Sequence, residues 1–595
     1  MATHKELKLL PTAGDSFADI ITHNKYYVDK TLFLKDIIYS GIPVIVRPHG
    51  FGKTLFMSMM ASFFGQNQND PNDLSLHEKI FKNTAIFKDK EFVERYMGKF
   101  PVIYISFKDV TGKTYKDAIE NFAKVIATVA SKFSYILDSD KLSESEKRRF
   151  QHLANYQDTS GEYDDLLSDA IAILTNNISE YYSKPTILLL DDYDVPFVNA
   201  SVNGFIDKMQ FFMDLFLGRL EPLPKNTNNA LSPMEKIVLT SSLFIRTDYY
   251  KLSPNTLLDT HHFKTIAGFT KKETKELLDY YNLGEYIDLV KTSYGGYACG
   301  DEELFNSLSV IKFVSDNYMH KANHEESKIK AHNYLIKDKS TNELKDYLKI
   351  ALNSNIDTLQ DLVGGKSIEK ELYPFVTEDE ISKKYSCDPF PFLVHKGCLC
   401  TQNNDSNYLY SVKIPNEEVL EYIECTCNDL FVQDPVNESI SSKLIKCLFK
   451  DDSNTAQGLL YKLLQHYLFT RKSSKKTDKK EVYKTFLSQV FSMCSSSIKN
   501  YDVVSEEKNT QADFIFTDEQ TKKAIIIDVN EGNEKDAKFI LERAKKELST
   551  KDYPSLFKSD LTINDIYAYS IIFLDRVCLI VSRKVNFKQK LIKQN

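Results

Sequence analysis

Apolar residues arrive in short runs separated by polar turns, and their spacing changes along the chain. "GIPVIV" (Gly41 to Val46) is brief, apolar and rich in β-branched residues, which predicts a buried parallel strand. "LFMSMMASFF" (Leu55 to Phe64) carries apolar residues all round and predicts a buried helix. "PTILLLDDYDVPF" (Pro185 to Phe197) predicts a buried strand ending in Asp191-Asp192. "MEKIVLTSSLF" (Met234 to Phe244) predicts a third, ending in Thr240, Ser241 and Ser242. Strands alternating with helical stretches indicate an α/β sheet wrapped by helices.

From "GFTKKETKELLDYYNLGEYIDLVKTSYGGY" onward the pattern turns helical, with Thr270 as N-cap and Glu273 completing a capping box. Helices are expected to dominate to about residue 385. Residues 386 to 440 mix a hairpin, "GCLCTQNNDSNYLYSVKI", with helix, and Cys398 and Cys400 are expected on one face of a strand. "RKSSKKTDKK" (Arg471 to Lys480) reads as a basic loop between helices, either a solvated linker or a phosphate-backbone contact. "EVYKTFLSQVFSMC" (Glu481 to Cys494) reads as an amphipathic helix. "ADFIF", containing Asp513, and "KAIIIDVN", containing Asp528, read as adjacent strands. There is no internal repeat.

The stretch between the first strand and the first buried helix is "RPHGFGKT". Gly50 and Gly52 let the backbone fold around an anion, and Lys53 and Thr54 open a helix whose first amides lack internal partners. Triphosphate chemistry needs these parts: amides for phosphate oxygens, an ammonium for the β and γ phosphates, and a hydroxyl for Mg²⁺. The usual motif, G-x-x-x-x-G-K-[ST], has Gly where this chain has Arg47. Downstream, Asp191 suits the Mg²⁺ shell and Asp192 the attacking water, while polar residues after the third strand can sense the γ-phosphate.

These pieces, with "SFADIITHNKYYVDKTLFLKDII" (Ser16 to Ile38), resemble the AAA-ATPase-like family, whose members typically read YVDKT, RPRRFGKS and LIDEYDKP at these places. The likeness continues through "LSPNTLLD", "AGFTKKE", "YGGY" and "YSVKIPNEEV". It implies a P-loop NTPase core related to AAA and STAND ATPases over residues 1–270, a helical lid over 271–385 and a winged-helix-like region over 386–446. It implies ATP and Mg²⁺ as cofactors, with Gly50, Phe51, Gly52, Lys53, Thr54 and Leu55 at the nucleotide, and Thr54 and Asp191 at the metal. Tyr193 and Asp194 come along as motif positions without an assigned role. His49 and Gly50 stand where the family has paired Arg, and Asp192 replaces the usual Glu. Aspartate is one methylene shorter, so binding is expected to survive this change better than hydrolysis does. An arginine finger is expected from Arg246 or Arg219, in cis or from a neighbouring chain.

Composition narrows the rest. A chain of 595 residues is too long for one core, and 42% hydrophobic with 27% charged residues is ordinary for a globular protein. The longest apolar runs are too short to span a bilayer, and "MATHKELKLLPTAG" has no signal-peptide apolar core, so an intracellular location, cytoplasmic or nuclear, with no membrane partner is the expectation. Nine scattered cysteines argue against a disulfide scaffold, and the C-x-C pairs read as buried thiols before metal ligands. A formal charge of −7 excludes a globally basic nucleic-acid coat but not a local basic groove.

The last stretch holds a second set of carboxylates. Asp513 and Asp528 on neighbouring strands can share a divalent metal. Their layout, with Glu481 on the preceding helix and "AKFILERAKKELSTKDY" after them, resembles the PD-(D/E)XK nucleases, and the same ATPase family usually ends in such a domain. The resemblance implies a C-terminal α/β nuclease-like domain over residues 447–595, with Glu481, Asp513 and Asp528 catalytic and both aspartates metal ligands. Asn530 stands where the catalytic Lys belongs and Glu547 where a helical Gln belongs, while Lys551 and Tyr553 match. Losing a cation aimed at the phosphorane costs on the order of 10²- to 10³-fold in rate, unless Lys523, Lys535 or Lys538 swings in. The expected function is an ATP-binding, ATP-hydrolysing protein coupled to a nuclease-like domain acting on nucleic acid, DNA before RNA. The alternative is an ATP- and nucleic-acid-binding regulator or scaffold with a dead nuclease-like domain. A homo-oligomer is a further expectation.

Overall fold

The structure is a computed structural model and describes residues 7–155, 163–220, 233–246, 252–258, 263–337, 342–377, 380–381, 388–406, 408–470, 479–494, 500–502, 512–518, 521–557 and 563–586. Most of the basic loop, residues 471 to 478, lies outside the described residues. The chain divides into two compact units. The first comprises residues 1–347 and 367–421, and the second 348–366 and 422–595.

The first unit is built on a five-stranded, wholly parallel sheet. Its strands are β1 (Ile42–Val46), β2 (Val102–Ser106), β3 (Thr186–Asp191), β4 (Met234–Ser241) and, after the short β5 (Ile245–Arg246), β6 (Leu252–Asn255). The spatial order is β2-β3-β4-β1-β6. Both β1 and β3 are apolar runs with buried side chains, as strands covered on two faces require. The mixed α/β architecture with a parallel sheet is consistent with a P-loop-like core. Strand β4 lies between β1 and β3, so the loop after β1 and the carboxylates after β3 flank the end of β4 on the carboxyl edge of the sheet. That edge, where strand order reverses, is where parallel α/β sheets place ligands.

The helix after β1 runs Lys53–Phe64, two residues earlier than its apolar pattern, because Gly52 in a left-handed conformation serves as its N-cap. Its face of Phe56, Met57, Met60, Phe63 and Phe64 packs against Phe17, Leu34, Phe81 and Phe92 in the main core. The YVDK segment is part of this scaffold. Asp29 accepts from the amide (2.9 Å) and hydroxyl (2.6 Å) of Thr31 and from the Ala85 amide (2.7 Å). Lys30 donates to Thr265 O (2.7 Å) and Glu273 (2.8 Å).

After residue 270 the helices Lys271–Tyr280, Ile287–Tyr294 and Ser307–Ala322 follow, and Thr270 and Glu273 form the expected capping box. Strands interrupt the helical pattern. The strands β7 (Phe269–Thr270), β8 (Tyr297–Cys299) and β9 (Glu302–Phe305) form an antiparallel sheet whose tight turn uses Gly300 at φ +65°. The runs are three and four residues long, too short to show a period of two. The strands β10 (Ile368–Glu371) and β11 (Val376–Thr377) precede the expected hairpin, which is β12 (Cys400–Ser406) and β13 (Leu409–Lys413). β10 joins the hairpin, and β11 pairs with β5. Cys400 opens β12 and Cys398 lies in the turn before it, so they do not share a strand face. Both thiols are buried, and burial pushes each up to about 12.

The second unit holds another five-stranded sheet: β14 (Asn500–Asp502), β15 (Phe514–Asp518), β16 (Lys523–Glu531), β17 (Asp565–Leu574) and β18 (Val577–Asn586), in that order. β16 and β17 are parallel and the other pairs antiparallel. The helices Pro435–Leu448, Ser453–Gln465 and Lys479–Ser492 share a core with one face of it through Leu444, Leu460, Leu463, Phe486 and Phe573. No helix among the described residues is long and apolar enough to cross a membrane.

Candidate functional site

The loop after β1 turns on two glycines in the left-handed region, Gly50 at φ +84° and Gly52 at φ +92°. Gly50 is also crowded: a Cβ there would lie 2.5 Å from Asn306 Oδ1. Asn306 caps the helix Ser307–Ala322 and donates to His49 O (3.1 Å), and the Leu308 amide donates to Gly50 O (3.0 Å). The Gly268 amide donates to Phe51 O (2.7 Å), and the Phe51 ring meets Tyr297 edge-on. Residues far downstream thus fix the loop's shape.

Arg47, in place of the motif's first glycine, points into the protein. Fully buried, its guanidinium donates to Val46 O (2.8 Å), to Asn255 O (2.7 Å) and Oδ1 (2.8 Å), and to Phe263 O (3.1 Å). It clamps β1 to β6 and leaves the loop to the residues after it.

Lys53 is buried, and its ammonium donates to Arg47 O (2.8 Å) and Pro48 O (3.2 Å). Burial pulls its pKa down against the opposing pull of Asp192, Asp194 and Asp191. Thr54, next on the helix, is exposed, and Leu55 is half-buried.

The two aspartates after β3 separate in environment. Asp191 is fully buried and accepts from the Tyr104 hydroxyl (2.8 Å) and the Thr240 hydroxyl. Asp192 is half-buried at φ +56°, a conformation aspartate tolerates better than most residues. Burial raises its carboxyl to about 6, against the attraction of Lys53. Its amide donates to Thr240 Oγ1 (3.2 Å). The hydroxyl of Thr54 and the carboxylate of Asp191 are both oxygen donors, the ligand type that suits Mg²⁺. Magnesium takes most of its ligands from phosphate and water, so one or two protein oxygens suffice.

The motif positions Tyr193 and Asp194 acquire places. Tyr193 is buried, and its hydroxyl accepts from the Ile245 amide (3.1 Å). Asp194 Oδ2 accepts from the Ser242 amide (3.2 Å), the Ser242 hydroxyl (2.7 Å) and the Leu243 amide (3.0 Å), closing the turn after β4.

Residues 11–240 match the AAA-ATPase-like family model, described as a predicted AAA-ATPase. The matched segment is less than half of the chain and contains the loop Arg47–Thr54 and the aspartates Asp191, Asp192 and Asp194. Such a family supports a P-loop and nucleotide binding. No curated protein matches the chain.

Sequence reasoning missed Lys396. It follows the helix Phe390–His395, and its ammonium donates to Ser242 Oγ (2.7 Å) and lies 3.5 Å from Asp194 Oδ2. The available signal was a single cation inside the otherwise apolar and cysteine-rich "FPFLVHKGCLC". Of the two candidate arginine fingers, Arg219 pairs with Asp169 (2.6 Å), and Arg246 sits over the Phe375 ring (4.7 Å).

In the second unit, Asp513 immediately precedes β15. Its amide donates to Ile527 O (3.0 Å), and its Oδ2 accepts from the Val529 amide (2.7 Å). Asp528 lies within β16, so the two aspartates are neighbours across the ladder. Both meet lysines. Lys480 is 2.9 Å and Lys484 3.2 Å from Asp513, and Lys484 also pairs with Glu481 (2.6 Å). Lys551 (2.9 Å) and the Tyr553 hydroxyl (2.7 Å) both reach Asp528 Oδ2. Burial favours the neutral form of each acid. At Asp513 the Val529 amide and Lys480 outweigh it and hold the pKa below the usual range, whereas at Asp528 burial prevails and raises it.

Asn530 donates to Ser570 Oγ (2.8 Å), and Glu547 meets Arg543 (3.6 Å). Lys523 donates to Phe449 O (3.1 Å). Lys480 and Lys484 on the helix, rather than Lys523, supply the cations at Asp513. Among the described residues there is no cluster of three or more His, Cys, Asp or Glu placed to hold a metal.

Proposed function

We propose that the chain binds ATP with Mg²⁺ at the loop after β1, hydrolyses it, and carries a C-terminal nuclease-like domain that engages nucleic acid, DNA in preference to RNA. The observation that carries the nucleotide reading is a buried ammonium, Lys53, folded back onto carbonyls of a loop held open by two left-handed glycines. Burying an ammonium against neutral carbonyls is costly, and a triphosphate repays that cost with charge-assisted hydrogen bonds. In this reading the amides of Gly50 to Thr54 hold phosphate oxygens, as an open helix N-terminus does, and Lys53 spans the β and γ phosphates. Thr54 and Asp191 would hold Mg²⁺, which would supply charge neutralisation to the triphosphate. Asp192, half-exposed beside Lys53, takes the proton of the attacking water.

The lysines in the second unit favour the alternative for that domain, engagement of nucleic acid without cleavage. Lys480, Lys484 and Lys551 neutralise the aspartates that a divalent metal needs, and Asn530 offers no charge where the resemblance expects one. The experiment is hydrolysis of ATP by the full chain with Mg²⁺, with and without plasmid and single-stranded DNA. DNA-stimulated turnover with intact DNA supports a nucleotide-gated binder. DNA-stimulated turnover with nicking supports the coupled nuclease. Absence of ATP binding overturns both.

A further inference from the structure

We propose that Lys396 is a second phosphate-binding cation of the nucleotide site, one that tells a triphosphate from a diphosphate. The inference rests on the ATP-binding reading above and adds a residue from outside the segment that matches the family.

Four observations place Lys396 in the site. Its ammonium, on a side chain only 9% exposed, donates to Ser242 at the carboxyl end of β4, the strand between the loop strand and the aspartate strand. Its backbone neighbour Gly397, at φ +82°, abuts the loop itself: a Cβ there would lie 2.6 Å from the Pro48 side chain. Its contact with Asp194 is loose, at 3.5 Å from an oxygen that already accepts three shorter hydrogen bonds. The other oxygen of Asp194 is buried with no hydrogen-bond partner among the described residues. The carboxylate thus holds the turn after β4 with three shorter hydrogen bonds and makes its longest contact with Lys396.

The electrostatics supply the reason for a ligand. Lys396 and Lys53 lie within range of each other's charge, and the field of Lys396 disfavours the charged form of Lys53. This repulsion is smaller than the effect of burial and than the favourable fields of Asp192, Asp194 and Asp191. An anion between them removes that repulsion and gains attraction to both. Lys53, at the helix N-terminus, addresses the phosphates cradled by the loop. Lys396 lies past the carboxyl end of β4, on Ser242 and Asp194, one residue before the glycine that abuts Pro48 of the loop. A diphosphate leaves Lys396 on Ser242 and Asp194, and a triphosphate draws it inward. The adjacent His395 cannot take this role: its ring is buried, Nε2 lies 3.1 Å from Tyr373 O, and burial lowers its pKa to about 4, leaving it neutral.

The test is calorimetric titration of the full chain with ATP and with ADP, each with Mg²⁺, for wild type, Lys396→Gln, Lys396→Arg and Lys53→Ala. Glutamine keeps a donor for Ser242 and removes the charge. Lys396→Gln is expected to weaken ATP about tenfold to a hundredfold while ADP stays within about twofold, and Lys396→Arg to recover most of the ATP preference. Thermal melts without nucleotide establish that the variants fold; should Lys396→Gln fail to fold, retained ATP preference in Lys396→Arg supports the proposal and its complete loss overturns it. Equal weakening of both nucleotides, or no change in either, makes Lys396 a tie for the β4 turn and overturns the proposal. If Lys53→Ala abolishes binding while Lys396→Gln keeps the wild-type ratio, this inference alone falls. If wild type binds neither nucleotide, the site reading falls with it.

Discussion

In the first unit, Asp191 and Asp192 end a parallel strand beside a glycine loop; in the second, Asp513 and Asp528 sit across an antiparallel ladder. Both pairs combine a more buried and a less buried acid. They differ in what their cations do. Lys53 rests on backbone carbonyls, and Arg47 is spent on clamping β1 to β6. Lys480, Lys484 and Lys551 instead close directly onto carboxylates. In the reading proposed above the first site awaits an anion, whereas the acids of the second are already paired with lysines. Paired aspartates on a sheet therefore do not imply similar chemistry; the placement of the neighbouring ammonium groups separates them.

The comparison breaks most severely if the clamp goes. Arg47→Ala strands several buried carbonyls and is expected to cost more than about 3 kcal/mol of stability, read by urea unfolding; a loss under about 1 kcal/mol would show that Arg47 is not what holds the loop's base. Gly50→Ala combines a positive φ with a clash against Asn306 and is expected to cost about 1–3 kcal/mol and to weaken nucleotide binding. Gly204→Ala, at φ +77° with open space around its Cβ, isolates the backbone strain at about 1 kcal/mol and should leave binding unchanged. Equal thermal shifts for the two would remove the close approach of Asn306 from the account.

Acid should affect turnover more than binding. The Asp192 carboxyl is raised to about 6, so it is protonated below that pH and cannot take a proton from water. ATP turnover is expected to fall about tenfold per pH unit below 6 and to level off above it; a flat profile from pH 8 to 5 would exclude Asp192 as the base. The smallest effect concerns the second site. Lys480→Ala with Lys484→Ala should change stability by less than about 1 kcal/mol, because both side chains are partly exposed. Freed of them, Asp513 should bind Mn²⁺ about tenfold more tightly in a spectroscopic titration. Unchanged Mn²⁺ affinity would mean the lysines do not block a metal.

The sequence was most legible where local chemistry decides. The strands at 42–46 and 186–191, the buried helix after the loop, the capping box at Thr270 and the hairpin near 400–413 all follow from periodicity, capping and turn residues. The short strands β8 and β9 escaped because three or four residues carry too little pattern. The role of Arg47 escaped because its acceptors, Asn255 and Phe263, lie more than 200 residues away in the chain. Lys396 escaped for the same reason, being brought to Ser242 only by tertiary packing. Cation placement at Asp513 was invisible because Lys480 and Lys484 act through helix geometry, not through a motif.

Binding of ATP with Mg²⁺ by the full chain and by Lys53→Ala, measured by calorimetry, tests the central claim most directly. The account predicts saturable binding by wild type and at least about hundredfold weaker binding by the variant, as expected when a charge-assisted contact to phosphate is lost from a desolvated site. Equal affinity for the two proteins would contradict it, because the ammonium folded onto the loop would then have no phosphate to hold.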